Sequence, residues 1–194
     1  MINNKKVKNS ELDKFHNGRF MLQGIDGYKD VEKNAKLEEC DLLKKLNVLY
    51  LDDDEDILVS YECIHRFDFN IFTTSSAKKA KEIIETNDIH IIIGDQRMPD
   101  ITGLEFFASI IDKHPEPIRI LLTGCSDIET IISYSNFNLI YGCLYKPFTP
   151  EEMKLVIKNA AEVYFLRKEK KRLLNRIATT MNEIEFIYNN KKSV

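Results

Sequence analysis

The stretch IHIIIGDQRMP, residues 89–99, decides the fold of this chain. Its isoleucine run is too short to span a membrane, and its β-branched composition is typical of a strand buried on both faces of a parallel sheet. Asp95 follows the run directly, and Pro99 cannot continue a ladder of backbone hydrogen bonds. An aspartate at the carboxyl end of such a strand lies where open α/β sheets bind their ligands. Taken alone, Asp95 could equally be the cap of the next turn.

Apolar runs elsewhere in the chain predict four more strands, and helical patterns follow the strands. The predicted strands are 48–51, 70–74, 89–95, 118–122 and 139–145, and the predicted helices are 57–65, 76–87, 103 to about 114, 127–134 and one that begins at 150. Five strands alternating with helices through short connections indicate a doubly wound parallel sheet. The sequence therefore predicts an α/β fold.

Polar residues follow four of these strands at the point where each strand ends. Asp52 and Asp53 follow the first strand, Asp95 the third, Thr123 the fourth and Lys146 the fifth. One polar residue at a strand end is weak support for a site, but the carboxyl ends of parallel strands share one edge of the sheet. We therefore expect these side chains to converge.

The acidic run at residues 52–56 lies between a buried strand and an amphipathic helix, which is the wrong place for a solvated tail. Like charges at a strand end repel one another unless a cation offsets them. Carboxylate oxygens suit Mg²⁺, with Mn²⁺ as an alternative. We assign Asp54, Glu55 and Asp56 a structural role in the first turn of the helix, where the macrodipole favours acids.

Composition restricts the possible functions. The chain has 194 residues, of which 43% are hydrophobic, enough for one core and an extension. No apolar run is long enough for a transmembrane helix, and the amino terminus lacks the apolar centre of a signal peptide. The four cysteines have no CxxC spacing. We therefore expect a cytoplasmic protein with reduced thiols, no zinc site and no membrane contact.

Charge is segregated along the chain. Residues 1–46 carry a net charge of +2, residues 47–150 carry −9 and residues 151–194 carry +4. An acidic central region argues against nucleic-acid binding there and suits a site that holds a cation.

Four motifs together resemble the receiver domain of two-component response regulators. They are LDDDEDIL at 51–58, IIIGDQRMPDITGLEFF at 91–107, ILLTG at 120–124 and LYKPF at 144–148. The resemblance covers about residues 46–165, three-fifths of the chain. It implies a flavodoxin-like strand order of 2-1-3-4-5. It also implies a phosphoprotein of a phosphorelay, which is not an enzyme and has at most an intrinsic autophosphatase activity.

The resemblance also implies roles for individual residues. Asp95 would accept a phosphoryl group from a sensor histidine kinase or a phosphotransfer protein. Thr123 and Lys146 would each contact a phosphoryl oxygen, and Pro147 would follow Lys146 through a cis peptide bond. Carboxylate attack on phosphorus yields an acyl phosphate, and a lysine and Mg²⁺ neutralise the charge that spreads over the oxygens.

The resemblance to the receiver family also implies a set of metal ligands. Asp53 would bind Mg²⁺ directly, Asp52 would act partly through water, and Asp95 would complete the carboxylate set. The backbone carbonyl of Arg97 would be the remaining ligand from the protein.

The sequence departs from the family pattern at Cys143, three residues before Lys146. Most family members carry an aromatic residue at this switch position, and a cysteine cannot sweep out the same volume. We expect Tyr145 to face away from Cys143 and not to replace that aromatic residue. The departure leaves the phosphorylation chemistry intact and puts the usual transmission of the signal in doubt.

The chain divides into four predicted parts. Residues 1–29 are a polar arm that we expect to be disordered, residues 30–46 form a helix, and residues 47–165 form the receiver domain. Residues 166–194 extend its last helix as a coiled coil, because apolar residues continue at alternating steps of three and four. The predicted seam consists of Val156, Asn159, Val163, Leu166, Lys170, Leu173, Ile177, Thr180, Ile184 and Ile187.

An apolar stripe on a helix of about 35–40 residues requires a partner. Our first expectation is a homodimer through the extension, and the second is docking onto another protein. The basic run at residues 167–172 is better explained as the charged face of a coiled coil than as a nucleic-acid contact.

Two alternatives remain open at this point. The chain could be a receiver-fold adaptor that signals without phosphorylation, an interpretation that Cys143 favours and that the intact Asp95, Thr123 and Lys146 oppose. It could also be the receiver fragment of a larger regulator or hybrid kinase, with a helical linker at each end.

Overall fold

Residues 46–124 and 139–191 are the part of the chain that this computed structural model describes. The predicted arm at 1–29, the predicted helix at 30–46 apart from Leu46, and the predicted helix at 127–134 lie outside the described residues.

Five parallel strands form one sheet in the order β2-β1-β3-β4-β5, as predicted. The strands are β1 (Asn47–Leu51), β2 (Asn70–Thr74), β3 (Ile91–Asp95), β4 (Ile118–Thr123) and β5 (Gly142–Tyr145). All five residues of β3 are buried, in agreement with the isoleucine run from which the strand was predicted. The fifth strand is shorter than predicted, because its ladder begins at Gly142 and not at Leu139.

Helices cover both faces of the sheet. They are α1 (Glu55–His65), α2 (Ala77–Thr86), α3 (Gly103–Ile110) and α4 (Pro150–Lys191). Successive side chains of a strand point to opposite faces. Val48 and Tyr50 of β1 therefore join the core beneath α1 and α4, whereas Leu49 and Leu51 join the core beneath α2 and α3.

Side-chain caps fix the starts of the helices that border the sheet edge. Asp54 caps α1 and accepts hydrogen bonds from two backbone N–H groups of its first turn. Thr102 and Glu105 form a reciprocal capping box at the start of α3. Because each cap stands in a short connection from a strand end, it also fixes the loop that carries the polar residues of that end.

Helix α4 is a single helix of 42 residues, slightly longer than predicted. Its first four turns pack on the sheet through Met153, Ile157, Ala160, Ala161 and Tyr164, which are all buried. Among the described residues, no helix combines the length and apolarity needed to cross a membrane.

The predicted seam is wrong for its first turns. Val156 and Val163 are half-buried against the core of the domain, so they are not available to a second helix. The exposed apolar face of α4 begins at Leu166, which is 68% exposed. The heptad pattern runs through both parts of the helix, but only the first part buries its apolar face, against the sheet of its own domain.

Candidate functional site

Four of the strand-end residues predicted from the sequence meet at one edge of the sheet. Asp52 follows β1, Asp95 ends β3, Thr123 ends β4 and Lys146 follows β5. Asp95, Thr123 and Lys146 line a common cavity of about 390 Å³ together with Gln96, Arg97, Gly124 and Pro147. The convergence expected from the strand ends is therefore present.

Lys146 binds both buried carboxylates of this edge. Its Nζ lies 2.6 Å from Oδ1 of Asp95 and 3.3 Å from Oδ2 of Asp52. Burial lowers the pKa of Lys146, but the hydrogen bond and charge of Asp95, followed by those of Asp52, outweigh burial and raise it overall. Lys146 is therefore a cation at neutral pH, and it compensates two acids that have little contact with water.

The carboxylate of Asp52 is held in place from two sides. Its Oδ1 accepts a hydrogen bond of 3.1 Å from the backbone N–H of Asp54, and its Oδ2 contacts Lys146. Burial raises the pKa of Asp52 and the charge of Asp95 adds to the increase, while Asp54 and Lys146 oppose it. Lys146 therefore offsets part of the cost of burying the Asp52 carboxylate.

The other acids of the run at 52–56 have different roles. Asp54 is the cap of α1, and Glu55 and Asp56 lie in the first turn of that helix, as the sequence predicted. Asp53 is exposed to solvent, beside the buried Asp52. Within the described residues, no three His, Cys, Asp or Glu side chains lie together as a metal site. Asp52 and Asp95 both contact Lys146, and Asp53 takes no part in these contacts.

The loop after β3 holds Asp95 by its second oxygen. The backbone N–H of Arg97 donates a hydrogen bond of 2.9 Å to Oδ2 of Asp95. The side chain of Arg97 is exposed. The role predicted for this residue is metal binding by its backbone carbonyl, and that role stays a prediction. With Oδ1 bound by Lys146, both oxygens of Asp95 are oriented.

Gln96 and Gly103 shape this loop, and sequence reasoning missed both. Gln96 is buried, and its Oε1 accepts a hydrogen bond of 3.3 Å from the backbone N–H of Leu104 at the start of α3. A Cβ on Gly103 would lie 2.5 Å from the backbone oxygen of Asp95. Only glycine lets α3 begin this close to Asp95, and the glycine between a Thr cap and an apolar helix was the available signal.

Thr123 and Lys146 are linked through the backbone. The N–H of Lys146 donates a hydrogen bond of 2.8 Å to the carbonyl of Thr123, and the hydroxyl of Thr123 donates to the carbonyl of Gly124 at 3.2 Å. Thr123 is 1% exposed, although it borders the cavity. The Lys146–Pro147 peptide bond is cis, as the family resemblance implied.

Tyr61 of α1 lies beneath the site and was not identified from the sequence. Its ring stacks on Tyr50 with centroids 4.7 Å apart and on Phe148 at 6.2 Å. Burial raises the pKa of Tyr61, and the charges of Asp52 and Asp95 raise it further. The ring therefore remains a neutral packing element that supports the loop after Lys146.

Cys143 is half-buried on the side of the sheet that packs against α2 and α3. Burial raises the pKa of its thiol, and a hydrogen bond with Tyr145 opposes the increase. The expectation that Tyr145 faces away from Cys143 is wrong. Residues two apart on a strand share a face, and the two side chains are in contact. Tyr145 is 45% exposed and pairs in register with Thr123 across β4 and β5.

A second, larger cavity of about 580 Å³ lies at the other end of the strands, between α2, the loop after α3 and α4. None of the predicted site residues lines it. It is lined by Asp88, Glu116 and Tyr164 among others, and Lys168 and Lys171 of α4 form ion pairs with these two acids.

Comparison with known proteins gives consistent matches. The family model of the response regulator receiver domain matches residues 48–158. The hydrogenase transcriptional regulatory protein HoxA of Bradyrhizobium diazoefficiens is 29% identical over 147 residues, which are 76% of this chain and 30% of HoxA. HoxA of Cupriavidus necator is 32% identical over 133 residues, 67% of this chain and 27% of that protein. The chain therefore spans less than a third of the length of these relatives.

Solved structures agree with the fold. A response regulator receiver domain protein from Clostridium thermocellum is 27% identical, with a TM-score of 0.58, and the match covers 62% of this chain and 98% of that one. A structure titled adenylate cyclase from Rhodopirellula baltica is 28% identical with a TM-score of 0.65, covering 68% of this chain and 98% of that one.

Proposed function

The chain belongs to the response regulator receiver family, and on that premise we propose that it is a phospho-accepting switch with Asp95 as the acceptor. The single observation that supports this most directly is the contact of 2.6 Å between Lys146 Nζ and Oδ1 of Asp95. It places a cation beside a buried carboxylate at the edge where α/β sheets bind ligands. The phosphoryl donor would be a sensor histidine kinase or a phosphotransfer protein, in the cytoplasm.

The chemistry follows from the groups that border the cavity. A carboxylate oxygen of Asp95 attacks the donor phosphorus, the bond from phosphorus to the donor nitrogen breaks, and an acyl phosphate forms. Lys146 then pairs with a phosphoryl oxygen while it still neutralises Asp52. The hydroxyl of Thr123 turns from the carbonyl of Gly124 to donate to another phosphoryl oxygen. The hydrogen bond from Arg97 N–H keeps the carboxylate plane fixed during attack.

Mg²⁺ is the cofactor we assign to this site, with Asp52, Asp53, Asp95 and the backbone carbonyl of Arg97 as its ligands. These donors are all hard oxygens, which Mg²⁺ prefers as ligands, and Asp52 and Asp95 lie close enough to contact the same ammonium. When bound, Mg²⁺ neutralises charge on the phosphoryl oxygens. Asp53 is exposed on the loop beside Asp52, so its carboxylate can turn toward a cation.

The readout we propose is a change in the contacts of α4. The exposed apolar residues of this helix from Leu166 onward form a face that its own domain leaves uncovered, and a second copy of the chain would cover it as a coiled coil. Phosphorylation would change this dimer or its contact with a partner protein. We assign no direct nucleic-acid contact to the described residues.

A phosphorylation-independent adaptor is the second candidate, and Cys143 is the observation that favours it. A half-buried cysteine cannot follow Thr123 as a large aromatic side chain can, so one common relay is absent. The intact Asp95, Thr123 and Lys146 make this candidate the weaker of the two.

The test is sedimentation of the full chain with Mg²⁺, with and without beryllofluoride as a phosphoryl mimic. We expect beryllofluoride to change the mass or the dimer dissociation constant of the wild type and of Asp112→Asn, which alters an exposed acid elsewhere. Asp95→Asn should not respond. A wild type that behaves like Asp95→Asn would favour the adaptor.

A further inference from the structure

The exposed apolar face of α4 is three rows wide, and each row repeats every seven residues. The first row is Leu166, Leu173, Thr180 and Ile187, the middle row is Lys170, Ile177 and Ile184, and the third row is Leu174, Met181 and Tyr188. The large apolar members are 45–68% exposed. A two-stranded coiled-coil seam requires only two such rows, so the third row restricts how two copies can pair.

A parallel coiled coil of two α4 helices would bury this apolar face poorly. In a parallel coiled coil each core residue meets its own copy, so Lys170 would face Lys170 of the second chain. When the first two rows form the core, Leu174 and Met181 would lie against the partner's charged flank, which contains Arg176 and Glu183. Apolar side chains would be covered by charges, and two cations would be opposed at the core.

We propose that two copies of α4 pair antiparallel, with Leu174 of one chain opposite Met181 of the other. In this alignment the third row meets itself across the interface and becomes buried. Ile177 then lies opposite Thr180, and Ile184 opposite Leu173. This inference rests on the dimer in the proposed function and deepens it by specifying the orientation and the register.

Charge complementarity selects the same register. On the flank beside the first row, Arg176 of each chain lies opposite Glu183 of the other, which gives two attractive pairs. A shift of one heptad in either direction would place Arg176 opposite Arg176, or Glu183 opposite Glu183. Like charges in such positions are destabilising, so only one of the three alignments is favoured.

In the same alignment, the parts of α4 that extend beyond the domain overlap along their whole length in the two chains. The alignment places position 166 of one chain beside position 191 of the other, an overlap of about 26 residues or ~39 Å. Lys168 and Lys171 pair with Asp88 and Glu116 of the domain at 3.9 and 2.9 Å. These lysines lie outside the three rows, so the domain contacts leave the apolar face open to a second copy.

A charge-swap series on the full chain tests the orientation. Arg176→Glu and Glu183→Arg should each raise the dimer dissociation constant about tenfold, because each creates two repulsive pairs. The combined variant Arg176→Glu/Glu183→Arg should restore it. Asn175→Glu adds an acid at an exposed position on the far side of the helix and should have little effect. Sedimentation equilibrium supplies the five dissociation constants, for the wild type and the four variants.

The outcomes separate the orientation from the dimer itself. A wild type that is monomeric at all concentrations overturns both the dimer and this inference. A dimer that the single swaps leave unchanged, or that the double swap weakens further, overturns only the antiparallel alignment. Positions 176 and 183 are seven residues apart, ~10 Å along one helix, so compensation within one chain cannot imitate the rescue.

Disulfide formation provides a second, independent readout. Leu174→Cys/Met181→Cys should link two chains on mild oxidation, with the wild type as the control for the native cysteines. Lys170→Cys should not link to itself, because an antiparallel pair separates the two copies of this position. Efficient linkage of Lys170→Cys would demonstrate a parallel pair and overturn the inference.

Discussion

The ammonium of Lys146 lies 2.6 Å from the carboxylate of Asp95, and the two residues reach this position from β5 and β3. Asp52 shares the same cation at 3.3 Å. Two nearly buried carboxylates and one lysine thus form a unit in which each acid depends on the cation. The consequences of this arrangement, and of the helix that leaves the domain, can be measured.

Loss of the shared cation should destabilise the domain. We expect Lys146→Ala to lower the free energy of unfolding by about 1–2 kcal/mol in metal-free buffer, because two buried carboxylates lose their partner. The expected loss is below that of a fully buried pair, since the Lys146 side chain is 32% exposed. Circular dichroism with chemical denaturant measures it.

The same variant should respond more strongly to Mg²⁺. A divalent cation would no longer meet a competing ammonium between Asp52 and Asp95, so the increase in melting temperature with Mg²⁺ should exceed that of the wild type. Equal increases in the two proteins would contradict the shared-cation arrangement.

Gly103→Ala should destabilise the loop that carries Asp95. The added Cβ would lie 2.5 Å from the backbone oxygen of Asp95 and 2.7 Å from Cδ1 of Leu121, so the start of α3 must move. We expect a loss of about 1–3 kcal/mol, as for overpacked cores. Gly94→Ala is the matched comparison, because its Cβ would meet only the Phe107 ring, at 3.1 Å.

The two glycine variants should therefore rank in a fixed order of unfolding free energy, with Gly103→Ala the less stable. A Gly103→Ala protein with wild-type stability would show that α3 does not need its close approach to Asp95.

Acid should destabilise the protein partly through His90. Burial lowers the pKa of His90, and its Nδ1 accepts a hydrogen bond of 3.0 Å from the N–H of Asn47, which requires the neutral ring. The unfolded chain takes up a proton near pH 6.5, where the folded chain does not. The His90 contribution is therefore complete above that pH and is lost as the pH falls toward the lower pKa of the folded state.

His90→Gln should reduce the slope of unfolding free energy against pH below about 6.5, by up to ~1.4 kcal/mol per pH unit. Parallel slopes for wild type and His90→Gln would contradict this assignment.

The two halves of α4 should respond differently to the same kind of substitution. Ile157 is fully buried against the sheet, so Ile157→Ser should cost several kcal/mol of domain stability. Ile177 and Ile184 are 57% and 60% exposed, so Ile177→Ser/Ile184→Ser should weaken only association. Denaturation at low protein concentration and sedimentation at high concentration separate these effects. Loss of domain stability in the double variant would mean that the extension packs on its own domain.

Much of the fold could be predicted because its strands are short apolar runs that end at polar residues. The run before Asp95 has the composition of a doubly buried strand, and the polar ends of the neighbouring strands must share its sheet edge. Helix caps such as Asp54 can also be predicted from the sequence, because a strand, a polar residue and an amphipathic helix follow one another directly.

Other features depend on distances that no pattern of residue types encodes. Gly103 matters because α3 approaches the backbone of Asp95, and Gln96 matters because its amide reaches the start of that helix. The predicted seam is wrong at Val156 and Val163, because periodicity indicates a buried face but not what covers it.

The central claim is that Asp95 accepts a phosphoryl group, and intact-protein mass spectrometry after incubation with acetyl phosphate and Mg²⁺ tests it most directly. The wild type should gain the mass of one phosphoryl group, the adduct should be labile to hydroxylamine as an acyl phosphate is, and chelation of Mg²⁺ should abolish it. Asp112→Asn should behave like the wild type, whereas Asp95→Asn should gain no mass. An unmodified wild type, or an equal gain by Asp95→Asn, would contradict the claim.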